Sequence, residues 1–72
     1  MKEFEIRSYT KKELALLYFP YSTPHTAVNH LMAWVHRNSQ LWGHLLSIGY
    51  QPTSKSFTPR EVRAIIEQLG EP

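Results

Sequence analysis

Four histidines offer the most versatile chemistry in this sequence, because a neutral imidazole can bind a metal ion. They are His25, His30, His36 and His44. A helix that chelates a metal places its ligands about three or four residues apart on one face. His25 and His30 would point about 140° apart, and His25 and His36 would lie about 16 Å apart along a helix. Because the chain also lacks cysteine and aspartate, we expect no metal site.

Catalysis by a nucleophile or by paired carboxylates finds no matching set of residues. The glycines are Gly43, Gly49 and Gly70, and their spacing does not form a phosphate-binding loop. Glu13 and Glu61 are assigned to helix caps, and the glutamates at positions 3, 5, 67 and 71 are expected to be exposed. A chain of 72 residues also has little room to enclose a drug-sized pocket. We therefore predict a non-enzymatic protein that uses no cofactor.

Polar side chains of residues 23–37 could bind DNA, because this segment reads as the second helix of a helix-turn-helix-like pair. In such a pair the second helix presents N-terminal polar side chains to the major groove. Asn29 is of a type that can hydrogen-bond adenine through both amide atoms. The predicted base-contacting residues are Thr23, His25, Thr26, Asn29 and His30, with Arg37, Lys11 and Lys12 placed for phosphate contacts.

The helix-turn-helix pattern also has departures. When Ala15 is taken as the fifth residue of the motif, Phe19 stands at the ninth, where glycine is usual. The connection looks about two or three residues too long for the motif. Trp34 also stands near the presumed reading face, where it does not suit the major groove. A plain helical hairpin would leave the same residues without a role in DNA binding.

Large aromatic side chains support an alternative function in protein binding. Tyr18, Phe19, Tyr21, Trp34 and Trp42 would mostly be core residues. A domain of this length buries only about 60% of its unfolded surface, so five such side chains are difficult to cover. Exposed Trp and Tyr are enriched at protein interfaces. A protein-interaction module or small homo-oligomer that uses Tyr21, Trp34 or Trp42 is therefore the rival prediction.

Composition bounds the class of protein. The chain is 42% hydrophobic and 19% charged, as expected for one globular domain spanning residues 1–72. Its net charge of +2 is a weak indication of an anionic partner, because the eight Lys and Arg residues are spread along the chain. Neither a signal peptide nor a membrane-spanning segment is visible. We expect a cytoplasmic protein that does not bind membranes.

Caps and prolines divide the chain into four predicted helices. The first begins after Thr10, which forms a capping box with Glu13, and ends before Pro20. The second runs from Thr23 to about Asn38. Its buried face is predicted to carry Val28, Leu31, Met32 and Val35.

Two further helices are predicted in the second half of the chain. Ser39 is assigned as the cap of the third helix, and Gly49 as its left-handed C-terminal stop. Gly43 within this helix costs about 1 kcal/mol relative to alanine, so a close packing contact is predicted there. The fourth helix follows the cap Thr58 and ends at Gly70. Its buried stripe is Val62, Ile65, Ile66 and Leu69.

A short edge strand is predicted at the N-terminus. Residues 3–8 alternate between polar and apolar, as in a half-buried strand, and residues 55–57 are the only candidate for a partner. Four helices with short connections and this strand predict a mainly α, compact four-helix domain.

Most of the chain resembles a known protein family. Residues 9–20 (YTKKELALLYFP), 27–34 (AVNHLMAW), Gly49-Tyr50 and 56–72 (SFTPREV through LGEP) are similar to small Bacteroides proteins catalogued as a domain of unknown function. The resemblance implies an intracellular bacterial protein made of this one domain. It transfers no functional residues to the chain.

Overall fold

Four helices and a two-stranded antiparallel ladder make up the computed structural model, which describes residues 4–72. The elements are β1 (Tyr9–Thr10), α1 (Lys11–Tyr18), α2 (Pro24–Arg37), α3 (Ser39–Ser47), β2 (Ser56–Phe57) and α4 (Pro59–Leu69). α1 packs mainly on α2, and α3 contacts both α2 and α4. The predicted mainly α fold with four helices and a short edge sheet is confirmed.

Capping boxes begin α1 and α4 as predicted. In α1 the Thr10 hydroxyl accepts a hydrogen bond from the Glu13 N–H, and the Glu13 carboxylate accepts one from the Thr10 N–H. Thr58 and Glu61 repeat this arrangement in α4. Glu61 is buried, so the cap also satisfies a carboxylate that water cannot reach freely. Thr23 caps α2 in front of a proline, again as predicted.

The start of α3 differs from the prediction. Asn38, and not Ser39, is the N-cap, because the Asn38 side-chain oxygen accepts a 3.0 Å hydrogen bond from the Leu41 N–H. Ser39 is the first helical residue. Asn38 is at the same time the C-cap of α2, so one residue ends one helix and begins the next.

The two glycines of the α3 region have different roles. Gly49 has a φ of 97° and ends the helix in a Schellman motif, in which the Tyr50 N–H donates to the Leu45 carbonyl and the Gly49 N–H to the Leu46 carbonyl. The predicted close contact at Gly43 is wrong, because a Cβ added there would meet no atom within 4 Å. Gly43 lies on the exposed side of α3.

The edge strand lies later in the chain than predicted. Residue 3 is outside the described part, and residues 4–8 form no strand. Instead Tyr9 pairs with Phe57 and Thr10 with Ser56, so the partner segment was predicted correctly. The chain before the ladder curls over Tyr9, whose hydroxyl donates to the Glu5 carbonyl and whose ring stacks on Phe4 at 5.5 Å.

The core lies between the ladder and the inner faces of the four helices. On α2 the fully buried residues are Ala27, Leu31 and Val35, whereas Val28 and Met32 are half-buried, so the buried stripe is turned slightly from the predicted one. The largest fully buried side chains are Phe57, Leu14, Leu31, Leu41, Leu45, Ile65, Val35 and Val62.

The end of α4 is attached to α1 by one side chain. The Tyr18 hydroxyl donates a 2.5 Å hydrogen bond to the Gly70 carbonyl. Burial raises the pKa of Tyr18 to about 12, and the nearby Glu71 carboxylate adds to the rise. The neutral phenol is therefore the form that the folded protein stabilises.

Replacing Gly43 by alanine should stabilise the protein by about 1 kcal/mol, because alanine restricts the unfolded chain and meets no neighbour in the helix. Urea unfolding followed by circular dichroism measures the change. Gly49→Ala is the matched control and should destabilise, since its φ of 97° disfavours a side chain. A destabilised Gly43→Ala variant would show that Gly43 has a packing role.

Tyr18 should make stability depend on alkaline pH. Below pH 10 its proton is bound in both states; from pH 10 to about 12 the unfolded chain loses the proton while the folded chain keeps it. The stability contributed by Tyr18 is therefore lost as pH rises through this window. Unfolding titrations of wild type and Tyr18→Phe should show the wild-type advantage shrinking above pH 10. A wild-type advantage that stays constant from pH 10 to about 12 would contradict this role of the Tyr18 hydroxyl.

Candidate nucleic-acid interface

The outer face of α2 carries most of the residues predicted to contact DNA. With about 100° between successive residues, they fall on the side opposite the buried stripe of Ala27, Leu31 and Val35. The structure leaves His25, Thr26, Asn29, His30 and Arg37 exposed on this face. Five of the predicted residues are therefore brought together on one accessible helix surface.

Two of the predicted base contacts are already occupied within the protein. The Thr23 hydroxyl accepts the Thr26 N–H and donates to the Thr26 hydroxyl at 3.0 Å, so Thr23 serves as a cap. The His30 ring meets the Phe19 ring edge-on, with centroids 5.3 Å apart. His25, Thr26 and Asn29 are left as the polar groups best placed to contact bases.

Asn29 is oriented by a neighbour one turn earlier. Its amide nitrogen lies 3.3 Å from Nε2 of His25, and both residues are exposed. The amide donates to this nitrogen when Nε2 carries no proton. Holding the amide in one orientation lowers the entropy lost when it binds a second group such as a base edge.

The two lysines of α1 differ in their surroundings. The Lys11 ammonium donates a 3.0 Å hydrogen bond to the Pro52 carbonyl and lies 5.2 Å from the centre of the Tyr50 ring. Lys12 is exposed. Only Lys12 therefore has an ammonium whose surroundings match the predicted phosphate contact.

A groove of about 500 Å³ opens beside α2. It is lined by Thr10, Lys11, Lys12, Val28, Pro52, Thr53, Ser54 and Lys55. Three of these residues are lysines and none is acidic, so the charged side chains that line the groove are all cationic. Sequence reasoning missed Lys55, because only the β1–β2 pairing brings it beside α1.

An aromatic cluster lies on the other flank of α2. Trp34 packs edge-on against Phe19 at 4.8 Å and against Tyr18 at 6.3 Å, yet remains 40% exposed. Tyr21, in the connection between α1 and α2, is fully exposed. Trp42 is half-buried, and its ring lies against the His36 ring, tilted by 32° with centroids 4.1 Å apart. Of the three predicted interface residues, Tyr21 and Trp34 are thus the accessible ones.

Residues 4–72 contain no group of three or more His, Cys, Asp or Glu side chains close enough to hold a metal ion. Within the same residues, no helix combines the length and the apolar character required to cross a bilayer.

Comparison with known proteins identifies a family model that matches this chain. No curated protein and no solved structure is similar to this chain. The family described as Domain of unknown function (DUF4248) matches residues 5–72, which is nearly the whole chain. The chain therefore belongs to this family, whose function is not known.

Proposed function

We propose that this protein is a non-enzymatic DNA-binding accessory or regulatory protein that places the outer face of α2 in the major groove. The observation that carries the proposal is the exposed row of His25, Thr26 and Asn29 on α2 beside a groove lined by three lysines. Base contacts and phosphate contacts would then come from adjoining surfaces, as DNA recognition requires.

The relation of α1 to α2 supports a helix-turn-helix-like docking. Tyr18, at the end of α1, contacts Trp34 late in α2, whereas Lys12, at the start of α1, shares a groove with Val28 early in α2. Antiparallel neighbours would give the reverse order. The pair is therefore not a plain antiparallel hairpin, which is consistent with a helix-turn-helix-like arrangement, in which the first helix crosses the DNA backbone while the second enters the groove.

The distribution of charge supports phosphate contacts at both ends of the reading face. Lys12 lies near the first half of α2, and Arg37 is the last residue of the helix. Because α2 itself carries only this one Lys or Arg, most of the attraction to DNA would come from residues around it.

Arg37→Glu should strongly weaken binding to a mixed-sequence duplex, because it replaces a phosphate contact by a repelling charge. An amide NMR titration of labelled protein at low and at higher salt measures this. Wild type should show salt-sensitive shifts in residues 23–37 and near Lys12. Arg63→Glu on α4 makes the same charge change on an exposed site away from α2 and is the matched control. Equal losses in the two variants would contradict α2 as the contact helix, and an unmoved wild-type spectrum would contradict DNA binding.

Exposed apolar side chains favour a second candidate, a protein-interaction module or small homo-oligomer. Tyr21 is 101% exposed, Leu17 45% and Trp34 40%. Trp and Tyr are enriched at the centres of protein interfaces. Tyr21 lies in the α1–α2 connection, Leu17 is near the end of α1, and Trp34 packs on Phe19 of the connection. A protein partner would then bind the side of α2 that carries Trp34 and not the side that carries His25, Thr26 and Asn29.

On the self-association reading, Tyr21→Ser should leave the fold intact and raise the dissociation constant at least about tenfold, as expected for an aromatic hot spot. Sedimentation velocity over a range of concentrations measures it. Leu46→Ser on α3 removes a similarly exposed apolar side chain and serves as the control. A wild-type protein that is monomeric throughout would exclude the homo-oligomer.

A further inference from the structure

We propose that the groove formed by the start of α1, the 52–55 loop and α2, termed here the lysine groove, binds a backbone phosphate of duplex DNA through Lys12 and Lys55. This inference rests on the proposed DNA-binding function. It adds Lys55 and the 52–55 loop to the interface, and it assigns Lys11 to the support of that loop.

The composition of the lysine groove fits a phosphodiester. Lys12 and Lys55 are exposed residues of its lining, and Thr10 and Thr53 contribute hydroxyl groups. Hydroxyls and ammonium groups are among the side-chain donors that proteins use for phosphate oxygens. No carboxylate lines the groove to compete for the ammonium groups.

The loop that carries Lys55 is held in place from two sides. The Lys11 N–H donates a 2.9 Å hydrogen bond to the Lys55 carbonyl, and the Lys11 ammonium donates to the Pro52 carbonyl. Within the loop, the Ser54 N–H donates to the Gln51 carbonyl and the Ser54 hydroxyl to the Ser56 carbonyl. Lys55 is thus presented by an ordered backbone, which lowers the entropic cost of binding.

Lys11 and Lys12 differ in whether their ammonium groups already have partners within the protein. The Lys11 ammonium lies 5.2 Å from the ring centre of Tyr50 and 5.9 Å from that of Phe57, besides its bond to the Pro52 carbonyl. A phosphate would have to compete with these partners. Lys12, one residue later and exposed, has its ammonium available for a phosphate.

The lysine groove lies where a DNA phosphate would be expected if α2 occupied the major groove. Val28 forms part of the groove wall and directly precedes Asn29, the predicted adenine-reading residue. A duplex that seats Asn29 against a base edge would bring its backbone alongside the first turn of α1, which is the part of a helix-turn-helix that crosses the backbone.

A second basic groove provides an internal comparison. It has a volume of about 360 Å³ and is lined by Ile6, Pro59, Arg60 and Arg63. None of these residues belongs to α1 or α2, so the groove adjoins no predicted base-reading residue. Arg60 is exposed and carries the same charge as Lys12 and Lys55, which makes it the matched control.

The test compares Lys12→Ala, Lys55→Ala and Arg60→Ala by fluorescence anisotropy with a labelled mixed-sequence duplex over a series of salt concentrations. Each lost phosphate contact should lower the slope of log K against log salt by about 1. In both lysine variants we expect this lower slope and several-fold weaker binding at low salt. In Arg60→Ala we expect the slope and the affinity of wild type. The double lysine variant should lower the slope by about 2. Amide spectra of the free variants confirm that each is folded.

The possible results distinguish a failure of the lysine-groove assignment from a failure of the proposed DNA-binding function. If wild type binds and the lysine variants behave like Arg60→Ala, the groove assignment is overturned while DNA binding stands. If Lys12→Ala alone lowers the slope, Lys55 does not contact phosphate and the two-lysine site is overturned. If wild type does not bind the duplex at the lowest salt, both proposals fall.

Discussion

The pairing of Tyr9 with Phe57 is the contact on which the rest of this small domain depends. It joins the start of the chain to its last quarter, and both side chains are buried. Tyr50 stacks on Phe57 at 5.6 Å and extends the contact toward the end of α3. Because each strand is followed directly by a capped helix, a ladder of two residue pairs also ties the start of α1 to the start of α4. Closing so long a loop costs entropy, which burial of the aromatic rings must offset.

The ladder also creates the lysine groove. The Lys11 N–H continues the pairing by donating to the Lys55 carbonyl, so the loop before β2 is drawn against the first turn of α1. Without this register Lys55 would have no fixed relation to Lys12. The cationic surface next to α2 is therefore a consequence of strand pairing. Neither strand contributes a side chain that is proposed to contact a base.

The helix boundaries could be predicted because they depend on neighbours in sequence. Thr10 with Glu13 and Thr58 with Glu61 satisfy their own helix ends, so no distant contact alters the outcome. The assignment of Ser39 failed because Asn38 is also a capping residue, and the end of α2 decides which of the two is used. Which of the two residues becomes the N-cap of α3 therefore depends on where α2 ends and not on the intrinsic capping preference of Asn or Ser.

The remaining errors concern contacts between distant residues. Alternation placed the strand at residues 3–8, but the position of Phe57 selects Tyr9 as the paired residue. Gly43 suggested a close approach, yet its side of α3 faces open space. The exposed row of α2 could be predicted from the 3.6-residue period of a helix. The position of Lys55 beside α1 could not, because it arises only when the folded chain brings the 52–55 loop to the candidate site.

The residues used by the two proposed activities lie on adjoining faces of α2, which meet at His30, whose ring packs on Phe19. Asn29 and Trp34 are separated by about 140° around the helix axis. The lysine groove adjoins the side of Val28 and Asn29, while Phe19 and Tyr18 pack around Trp34 on the other flank. Tyr21 lies in the connection before α2 and is fully exposed, so it is accessible to a partner. If both proposed surfaces bind, the protein would hold a partner protein on DNA, which is what an accessory factor does.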